Sequence, residues 1–244
     1  MKIFSICVSK GGTGKTTTAA ALAQAAIYQG KKALAIDLDP QGNLTLALGC
    51  RPDNYESNSY ALITGQRTAK EAISESPQGV DIIGASWNLS TVTSSKGSAL
   101  RLKKALEPIK KDYDVIVIDT PTSAELQYNA IVTATNIIIP LQTDSYNIQS
   151  LYQITDVINI LRKTRRGLSV GAIITRYDKR TKHARQMQEI IRQQAQGLRV
   201  DYLGEIRQTV AIPEAATFGR SLYEYAPKST AAQDYLALYD QLTQ

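Results

Sequence analysis

The sequence KGGTGKTT, at residues 10–17, contains the residue types that bind the phosphates of a nucleotide. It follows an apolar segment, residues 3–8, that is typical of a buried strand, and a helix is predicted to begin near Thr16. In such a strand–turn–helix unit, backbone N–H groups and the positive end of the helix dipole converge on an anion. Lys15 can reach the β- and γ-phosphates, while the Thr16 hydroxyl can hold Mg²⁺. The pattern therefore predicts a loop that binds a triphosphate together with its metal ion.

This loop departs from the common phosphate-binding pattern G-x-x-x-x-G-K-[ST] at its first position. Ser9 occupies the place of the first glycine, and a second lysine, Lys10, follows it. Lys10 therefore adds a positive charge that the ordinary loop lacks. From the residues alone, Lys10 is either a group that acts on phosphates or a solvated lysine of an exposed loop.

Two further apolar segments end in aspartate. Residues 32–37 end at Asp37, with Asp39 shortly after it, and residues 113–119 end at Asp119. In an open parallel sheet, ligands bind beyond the carboxyl ends of the strands, so these carboxylates share one edge with the glycine-rich loop. Carboxylates at that edge hold Mg²⁺ directly or through water. The three features in this order predict a magnesium–nucleotide site, although Asp37 taken alone is also explained as a carboxylate that caps a strand end.

Strand-like and helix-like segments alternate along the chain. The predicted strands are residues 3–8, 32–37, 80–84, 113–119, 136–141, 168–175 and, more weakly, 200–206. The predicted helices are residues 16–29, 98–111, 124–134, 146–162, 184–196 and 229–242, with short helices within 43–78. This alternation predicts an α/β fold with a doubly wound, mostly parallel sheet flanked by helices. The length of 244 residues suits a single domain over residues 1–244.

Composition argues against several kinds of site. The only cysteines are Cys7 and Cys50 and the only histidine is His183, so a structural zinc or iron–sulfur site is not expected. His183 stands among basic residues and is predicted to lie at the surface. No apolar run is long enough to span a bilayer and no signal-peptide pattern is present, so the expected location is the cytoplasm.

The net charge of +6 comes from one part of the chain. Residues 1–150 carry 14 basic and 13 acidic side chains, whereas residues 151–228 carry 14 basic and 7 acidic ones. Such a local excess is typical of a surface that binds a polyanion, the alternative being a solvated basic surface. The candidate DNA-binding residues are Arg162, Lys163, Arg165, Arg166, Lys179, Arg180, Lys182 and Arg185. No base-reading motif is visible, so non-specific, salt-dependent binding to phosphates is expected.

With these motifs, the chain resembles the ParA-type partition ATPases, which belong to the deviant Walker group together with MinD and the nitrogenase iron protein. The resemblance spans nearly the whole length. It rests on KGGTGKTT, DLDPQGN and VIVIDTPTS, with softer support from NAIVTATNIIIPLQTDSYNIQSL and IPEAATFGRSLYEYAPKSTAAQDY. The chain departs from the family at Thr122, where a second proline is frequent, and at Ala211, where a basic residue is frequent. A DNA-binding surface must therefore use positions other than 211.

The resemblance implies a P-loop NTPase of the deviant Walker type, with ATP and Mg²⁺ as cofactors. It assigns catalytic roles to Lys10, Lys15 and Asp39. In this assignment, Lys10 reaches across a nucleotide-sandwich dimer to the ATP of the other copy, and Asp39 orients the attacking water. The metal-site residues that it implies are Thr16, Asp37 and Asp119. The nucleotide contacts that it implies are Gly11, Gly12, Thr13, Gly14, Lys15, Thr16, Thr17, Arg207, Gln208 and Pro213, the last three near the adenine.

The function implied by the resemblance is that of an ATP-dependent, dimerising ATPase that binds non-specific nucleoid DNA and positions a cargo. The expected system is plasmid or chromosome partition with a ParB-type partner that stimulates slow hydrolysis. Positioning of a protein organelle, such as a carboxysome or a chemoreceptor cluster, is the alternative. A MinD-like membrane-surface ATPase is disfavoured because residues 235–244 contain no Lys or Arg. The guanine motif N-K-x-D does not occur, which favours ATP over GTP.

Overall fold

The computed structural model describes residues 1–52, 58–92, 98–165 and 167–244. The strands in these ranges are β1 (Lys2–Ile6), β2 (Ala33–Asp37), β3 (Ser74–Glu75), β4 (Asp81–Ile83), β5 (Val115–Asp119), β6 (Asn136–Leu141), β7 (Ser169–Tyr177) and β8 (Asp201–Arg207). They form one sheet in the order β3-β4-β2-β5-β1-β6-β7-β8. Adjacent strands are parallel except β3 with β4, which are antiparallel. The predicted α/β class with a mostly parallel sheet is confirmed.

Helices cover both faces of this sheet. They are α1 (Lys15–Tyr28), α2 (Asn43–Ala47), α3 (Ser59–Thr64), α4 (Ala69–Ala72), α5 (Arg101–Leu106), α6 (Ala124–Thr133), α7 (Ser145–Arg162), α8 (Lys182–Gly197), α9 (Ala211–Thr217), α10 (Leu222–Tyr225) and α11 (Thr230–Thr243). One face carries α1 and α11, and the other carries α3 to α8. Within the described ranges, no helix combines the length and the apolarity that crossing a bilayer requires.

The alternation of side chains along each strand explains the two layers. In β1, Phe4 and Ile6 belong to the core cluster beneath α1 and α11, whereas Ile3 belongs to the cluster on the opposite face. Successive side chains of a strand point to opposite faces, so a strand covered on both faces is apolar throughout. Every residue of β5 is buried in this way. Both faces of the sheet are therefore covered by the hydrophobic core, and ligands can approach at the ends of the strands.

The alanine-rich sequence of α1 lets this helix lie against the sheet. Ala19, Ala23 and Ala26 are fully buried, and the small side chain of alanine permits close approach of the helix to the strands. The hydroxyl of Tyr235 on α11 lies 3.1 Å from Thr18 Oγ1, which ties the two helices together. The start of α1, where the glycine-rich loop ends, is therefore held in a fixed place.

The strand order places the glycine-rich loop where the direction of winding reverses. From β1 the chain runs to β2 and β4 on one side, returns through β5, and continues to β6, β7 and β8 on the other side. β1 pairs with both β5 and β6. In such sheets, ligands bind outside the carboxyl ends of the strands next to this reversal. The loop that follows β1 lies at that position.

The predicted helix over residues 98–111 is wrong in its extent. The structure contains α5 only from Arg101 to Leu106, with short 3-10 turns on both sides. Pro108 has no N–H group to donate to the carbonyl of Lys104, and its ring crowds that carbonyl, so the α-helix cannot continue through it.

Two short helices, α9 and α10, were not predicted, whereas the weakly predicted strand at 200–206 is confirmed as β8. The helix α9 buries only Ala211 and Ala215. Two small apolar residues produce too little periodicity to indicate a helix.

Candidate nucleotide-binding site

The loop between β1 and α1 has a backbone conformation that requires glycine. Gly12 and Gly14 have φ values of 75° and 95°, in the left-handed region. A Cβ atom at Gly14 would also lie 3.3 Å from Cγ2 of Thr175. Gly14 is the N-cap of α1 and provides no side-chain hydrogen bond to the first turn. The N–H groups at the start of α1 are therefore available to bind an anion.

Lys15 lies inside this loop. It is 8% exposed, and its Nζ donates a 3.2 Å hydrogen bond to the backbone carbonyl of Lys10. Burial lowers the pKa of Lys15, and the negative charges of Asp119 and Asp39 act in the opposite direction. The structure thus brings the predicted phosphate lysine close to two of the three predicted carboxylates, Asp39 and Asp119.

Thr16 and Asp119 meet at the carboxyl end of β5. Thr16 Oγ1 donates a 2.6 Å hydrogen bond to Oδ2 of Asp119. The other oxygen, Oδ1, is buried and has no hydrogen-bond partner among the described residues. Burial raises the pKa of Asp119, and the charge of Asp37 raises it further. A buried carboxylate oxygen without a partner, beside a hydroxyl, is the donor set of a hard divalent cation, so these two residues fit Mg²⁺.

Asp37 organises the loop that follows β2. Its Oδ2 accepts hydrogen bonds from the backbone N (2.8 Å) and Oγ1 (2.7 Å) of Thr45, and its Oδ1 accepts one from the backbone N of Asp39 (3.1 Å). Burial raises the pKa of Asp37 to about 6. Both oxygens are thus used to hold the chain, and a place for Asp37 around Mg²⁺ stays a prediction.

Asp39 lies in the tight turn that Asp37 supports. Its Oδ1 accepts a 3.0 Å hydrogen bond from the backbone N of Gln41, and its carbonyl accepts one of 2.9 Å from the N of Gly42. Asp39 is partly exposed, and its negative charge acts to raise the pKa of both Lys15 and Asp119. It is therefore a solvent-accessible carboxylate at the edge of the site.

Lys10 contacts its own chain. Its Nζ donates to both carboxylate oxygens of Asp144 at 2.9 Å, and it lies 5.4 Å from the ring centroid of Tyr146. Asp144 is the N-cap of α7 and accepts a hydrogen bond from the backbone N of Asn147. The lysine side chain is therefore held against the start of α7, outside the interior of the loop.

Three polar residues that sequence reasoning missed hold the loop backbone. Gln142 Nε2 donates to the carbonyl of Gly12 (2.8 Å), Thr175 Oγ1 donates to that of Thr13 (2.7 Å), and Gln127 Nε2 donates to that of Val8 (3.2 Å). Gln142 and Thr175 lie at the carboxyl ends of β6 and β7. The rule that identified Asp37 and Asp119, polar residues at strand ends, applies to them as well.

A cavity of about 430 Å³ adjoins the loop. Its lining includes Gly14, Thr17, Arg207, Gln208, Thr209, Val210, Ile212 and Pro213. Pockets that bind small molecules have volumes of about 300–1,000 Å³ and mix apolar walls with a few polar groups. The structure therefore brings the three predicted adenine contacts to one cavity beside the phosphate loop. The guanidinium of Arg207 is paired with Asp234, at 2.7 Å between Nη2 and Oδ1.

The candidate DNA-binding residues lie at two ends of the α7–α8 layer. Arg162 is the last residue of α7, and Arg165 follows it shortly after. Their guanidinium groups donate to the backbone carbonyls of Arg199 and Val132, respectively. Lys163 is exposed, and Arg166 lies outside the described residues. Residues 179–185 lie at the start of α8, on the same edge as the nucleotide loop. A helix of the length of α7 (18 residues) spans about 27 Å, so the two groups do not form one continuous patch.

The second group contains Lys179, Arg180, Lys182 and Arg185, all exposed. Arg180 pairs with Asp178 at 2.7 Å, and Arg185 Nη1 donates to the carbonyl of Lys179 at 2.7 Å. His183 is exposed as predicted, and its Nε2 lies 2.9 Å from the carbonyl of Thr143. This contact joins the start of α8 to the segment that carries Asp144.

Known proteins resemble the chain over most of its length. A family model described as an AAA domain matches residues 1–170. The sporulation initiation inhibitor protein Soj of Bacillus subtilis is 32% identical over 248 residues, covering 97% of this chain and 96% of that protein. The chromosome partitioning protein ParA of Myxococcus xanthus is 32% identical over 253 residues, covering 97% and 87% of the two chains. The crystal structure of cobyrinic acid a,c-diamide synthase from Mycobacterium smegmatis, with bound ADP and magnesium, is 28% identical and covers 98% of this chain and 93% of that one, with a TM-score of 0.83.

These likenesses agree with the geometry of the site. The glycine-rich loop and the buried Lys15 lie beside the Thr16–Asp119 pair, whose oxygens fit Mg²⁺, and the fold is shared with a structure that holds ADP and magnesium. The chain belongs to the ParA-type family of P-loop ATPases, and its cofactors are ATP and Mg²⁺.

Proposed function

We propose that residues 1–244 form one ATPase domain that dimerises on ATP, binds nucleoid double-stranded DNA without sequence specificity, and positions a cargo in the cytoplasm. The proposed system is plasmid or chromosome partition with a ParB-type partner that stimulates slow hydrolysis. The observation that carries the proposal is the position of the second loop lysine: the ammonium group of Lys10 contacts Asp144 and not the interior of its own loop. In that position, Lys10 is accessible to a neighbouring copy.

Within one chain, the residues divide the work on ATP. Lys15 and the N–H groups at the start of α1 bind the β- and γ-phosphates. Thr16 and Asp119 would hold Mg²⁺, which offsets the negative charge that builds up on the transferred phosphoryl group. Asp39 orients the water that attacks the γ-phosphate. Asp37 keeps Asp39 in place through its hydrogen bonds to the loop.

The contact between Lys10 and Asp144 is weak enough to be exchanged. The two side chains are 32% and 36% exposed, and ion pairs of this kind contribute about 1 kcal/mol or less. A triphosphate carries several negative charges and attracts an ammonium group more strongly than one carboxylate does. We therefore infer that ATP bound to one copy draws Lys10 of the other copy away from Asp144. This exchange couples the nucleotide to the dimer.

Removal of the charge at residue 144 is expected to favour the dimer. The substitution Asp144→Asn keeps a good N-cap for α7 but loses the ion pair with Lys10. We expect the ATP concentration for half-maximal dimerisation to fall by about 3- to 5-fold, which corresponds to roughly 0.6–1 kcal/mol. Analytical ultracentrifugation across an ATP titration measures it. Asp156→Asn, an exposed acid on the same helix, is the control and should change nothing. A weaker dimer in Asp144→Asn would contradict the exchange.

The second basic group is the better candidate for the DNA surface. Residues 179–185 lie on the edge that carries the nucleotide loop, whereas Arg162 and Arg165 lie at the far end of α7. The contact between His183 and Thr143 links this group to the Lys10–Asp144 pair. ATP-dependent movement of Lys10 can thereby alter the basic surface, which supports DNA binding that depends on the nucleotide.

Charge reversal at the start of α8 tests this surface. We expect Lys179→Glu/Arg180→Glu/Lys182→Glu to reduce retention on random-sequence duplex DNA by at least about 10-fold at moderate salt, because each lost phosphate contact weakens binding. Lys182→Glu places a negative charge at a helix N-terminus, which the helix tolerates well. The control is Lys31→Glu/Lys32→Glu/Lys111→Glu, with the same charge change on exposed lysines before β2 and β5. Equal retention by both triple variants in a filter-binding assay would contradict the assignment.

Stimulation of ATP hydrolysis by DNA separates this proposal from its alternatives. A MinD-like ATPase would respond to lipid vesicles, but α11 contains no Lys or Arg and buries Tyr235, Leu238 and Tyr239 in the core. A protein organelle is a second possible cargo, since the same ATPase cycle serves both kinds of system. We expect duplex DNA, and not anionic vesicles, to raise the hydrolysis rate in a phosphate-release assay.

A further inference from the structure

A large open groove lies away from the nucleotide site. It has a volume of about 730 Å³ and runs between the α3–α4 turn and α5. We call it the α3–α5 groove. Its apolar floor is formed by Leu62, Ile63, Ala105, Pro108 and Ile109. Its size is within the range of about 300–1,000 Å³ that is usual for binding pockets.

The groove is bordered by basic residues on both sides. Arg67 and Lys70 line it at the α3–α4 turn and α4, and Arg101 and Lys104 line it on α5. Residues three positions apart on a helix are neighbours on one side of it, so Arg101 and Lys104 form a basic row along α5. Lys70 and Lys104 are exposed. The two rows place positive charge on either side of an apolar floor.

One acidic residue, Glu71, lines the groove beside the four basic ones, and the charge of Arg67 acts on it. Glu71 accepts 2.8 Å hydrogen bonds from the backbone N and the Oγ1 of Thr68, as part of the capping box of α4. These hydrogen bonds lower the pKa of Glu71. Its carboxylate is therefore committed to the start of its own helix, and the groove presents a net positive rim to an incoming molecule.

We propose that the α3–α5 groove binds an acidic, amphipathic helical segment of a partner protein. The apolar stripe of that helix lies on the floor, and its flanking carboxylates pair with Lys70 and Lys104, the exposed lysines of the two rows. Burial of apolar side chains on the floor supplies affinity, and charge complementarity supplies selectivity and rapid association. Duplex DNA fits less well, because phosphates gain nothing from an apolar floor.

The groove is connected to the nucleotide edge of the sheet. Helix α3 begins at Ser59, whose Oγ donates a 2.6 Å hydrogen bond to the carbonyl of Asp37 and whose N donates one of 2.8 Å to the carbonyl of Gly84. A partner on the α3–α5 groove thus contacts a helix that is fastened to the strand end preceding Asp39. Binding itself needs no nucleotide, so it is tested independently of the ATPase cycle.

A displayed library of helical peptides of about 16 residues, roughly four and a half turns, serves as the probe. It is selected on the wild-type chain without nucleotide and without counter-selection. We expect enrichment of peptides with apolar residues at i, i+3, i+4 and i+7 flanked by Asp and Glu. Fluorescence anisotropy with an enriched peptide should show a Kd at least about 10-fold higher for Lys70→Glu/Lys104→Glu.

Two further variants make the result decisive. Lys31→Glu/Lys111→Glu carries the same charge change outside the groove and should bind the peptide as the wild type does. Lys70→Gln/Lys104→Gln should give an intermediate Kd, and an unchanged melting temperature verifies folding of each variant. The proposal is overturned if the selected peptides are not enriched in Asp and Glu. It is also overturned if the Lys31→Glu/Lys111→Glu control loses as much binding as Lys70→Glu/Lys104→Glu. Displacement of the peptide by random duplex DNA also overturns it, since the groove would then belong to a DNA surface.

Discussion

Lys10→Ala is expected to abolish the ATP-dependent dimer and to reduce ATP turnover by at least about 100-fold. A cation that reaches the transferred phosphoryl group from another chain typically contributes factors of this size or larger. Binding of ATP to a single chain should change by less than about 3-fold, because Lys10 Nζ contacts Asp144 and not the loop interior. Light scattering with and without ATP, and single-chain ATP binding, measure the two effects separately.

The matched control is Lys31→Ala, which removes an exposed lysine outside the site. It should leave dimerisation and turnover at wild-type values. If Lys10→Ala dimerises and hydrolyses ATP normally, Lys10 is a surface lysine, and the proposed dimer mechanism fails.

Asp39→Ala is expected to reduce hydrolysis by at least about 100-fold while ATP binding is retained, because the attacking water loses its orienting carboxylate. The substitution removes one acceptor of a local turn, from the N of Gln41, and leaves the hydrogen bonds of Asp37 intact. The chain should therefore fold and accumulate as an ATP-bound dimer. Retention on duplex DNA should persist long after wild-type protein has hydrolysed its ATP and dissociated.

Asp112→Ala serves as the control, since Asp112 is an exposed acid on the opposite edge of the sheet. Its hydrolysis rate should equal that of the wild type. A loss of ATP affinity in Asp39→Ala as large as the loss of hydrolysis would show that Asp39 holds the nucleotide and does not act on the water.

The phosphate loop was predictable because local sequence determines it. Gly12 and Gly14 adopt positive φ values that other residues avoid, and Lys15 and Thr16 follow them directly in the helix. The strand ends at Asp37 and Asp119 were predictable for the same reason. The contacts of these aspartates could not be predicted, because Thr45 holds Asp37 only where the loop after β2 folds back on it.

Contacts between distant segments could not be predicted. The partner of Lys10 is Asp144, which lies 134 positions away, and the partner of Arg207 is Asp234 on α11. Neither pair follows a motif, since each depends on how β6 and α11 pack beside the site.

The net charge of a segment also does not indicate where its basic residues come together in the fold. Residues 1–150 are nearly neutral in sum, yet Arg67, Lys70, Arg101 and Lys104 border one groove. Folding brings together the lysines and arginines of two separate segments.

A mixture of Lys10→Ala and Asp39→Ala chains tests whether Lys10 acts on the ATP of the other copy. In a mixed dimer, the site on the Lys10→Ala chain has its own Asp39 and receives Lys10 from the Asp39→Ala chain. Random pairing of equal amounts would make about half of the dimers mixed, each with one complete site, which sets a ceiling of about a quarter of the wild-type ATP turnover. Because Lys10→Ala weakens pairing, we expect a turnover below that ceiling but well above the sum of the two variants. If turnover stays at the sum of the two inactive variants, Lys10 acts within its own chain or not at all.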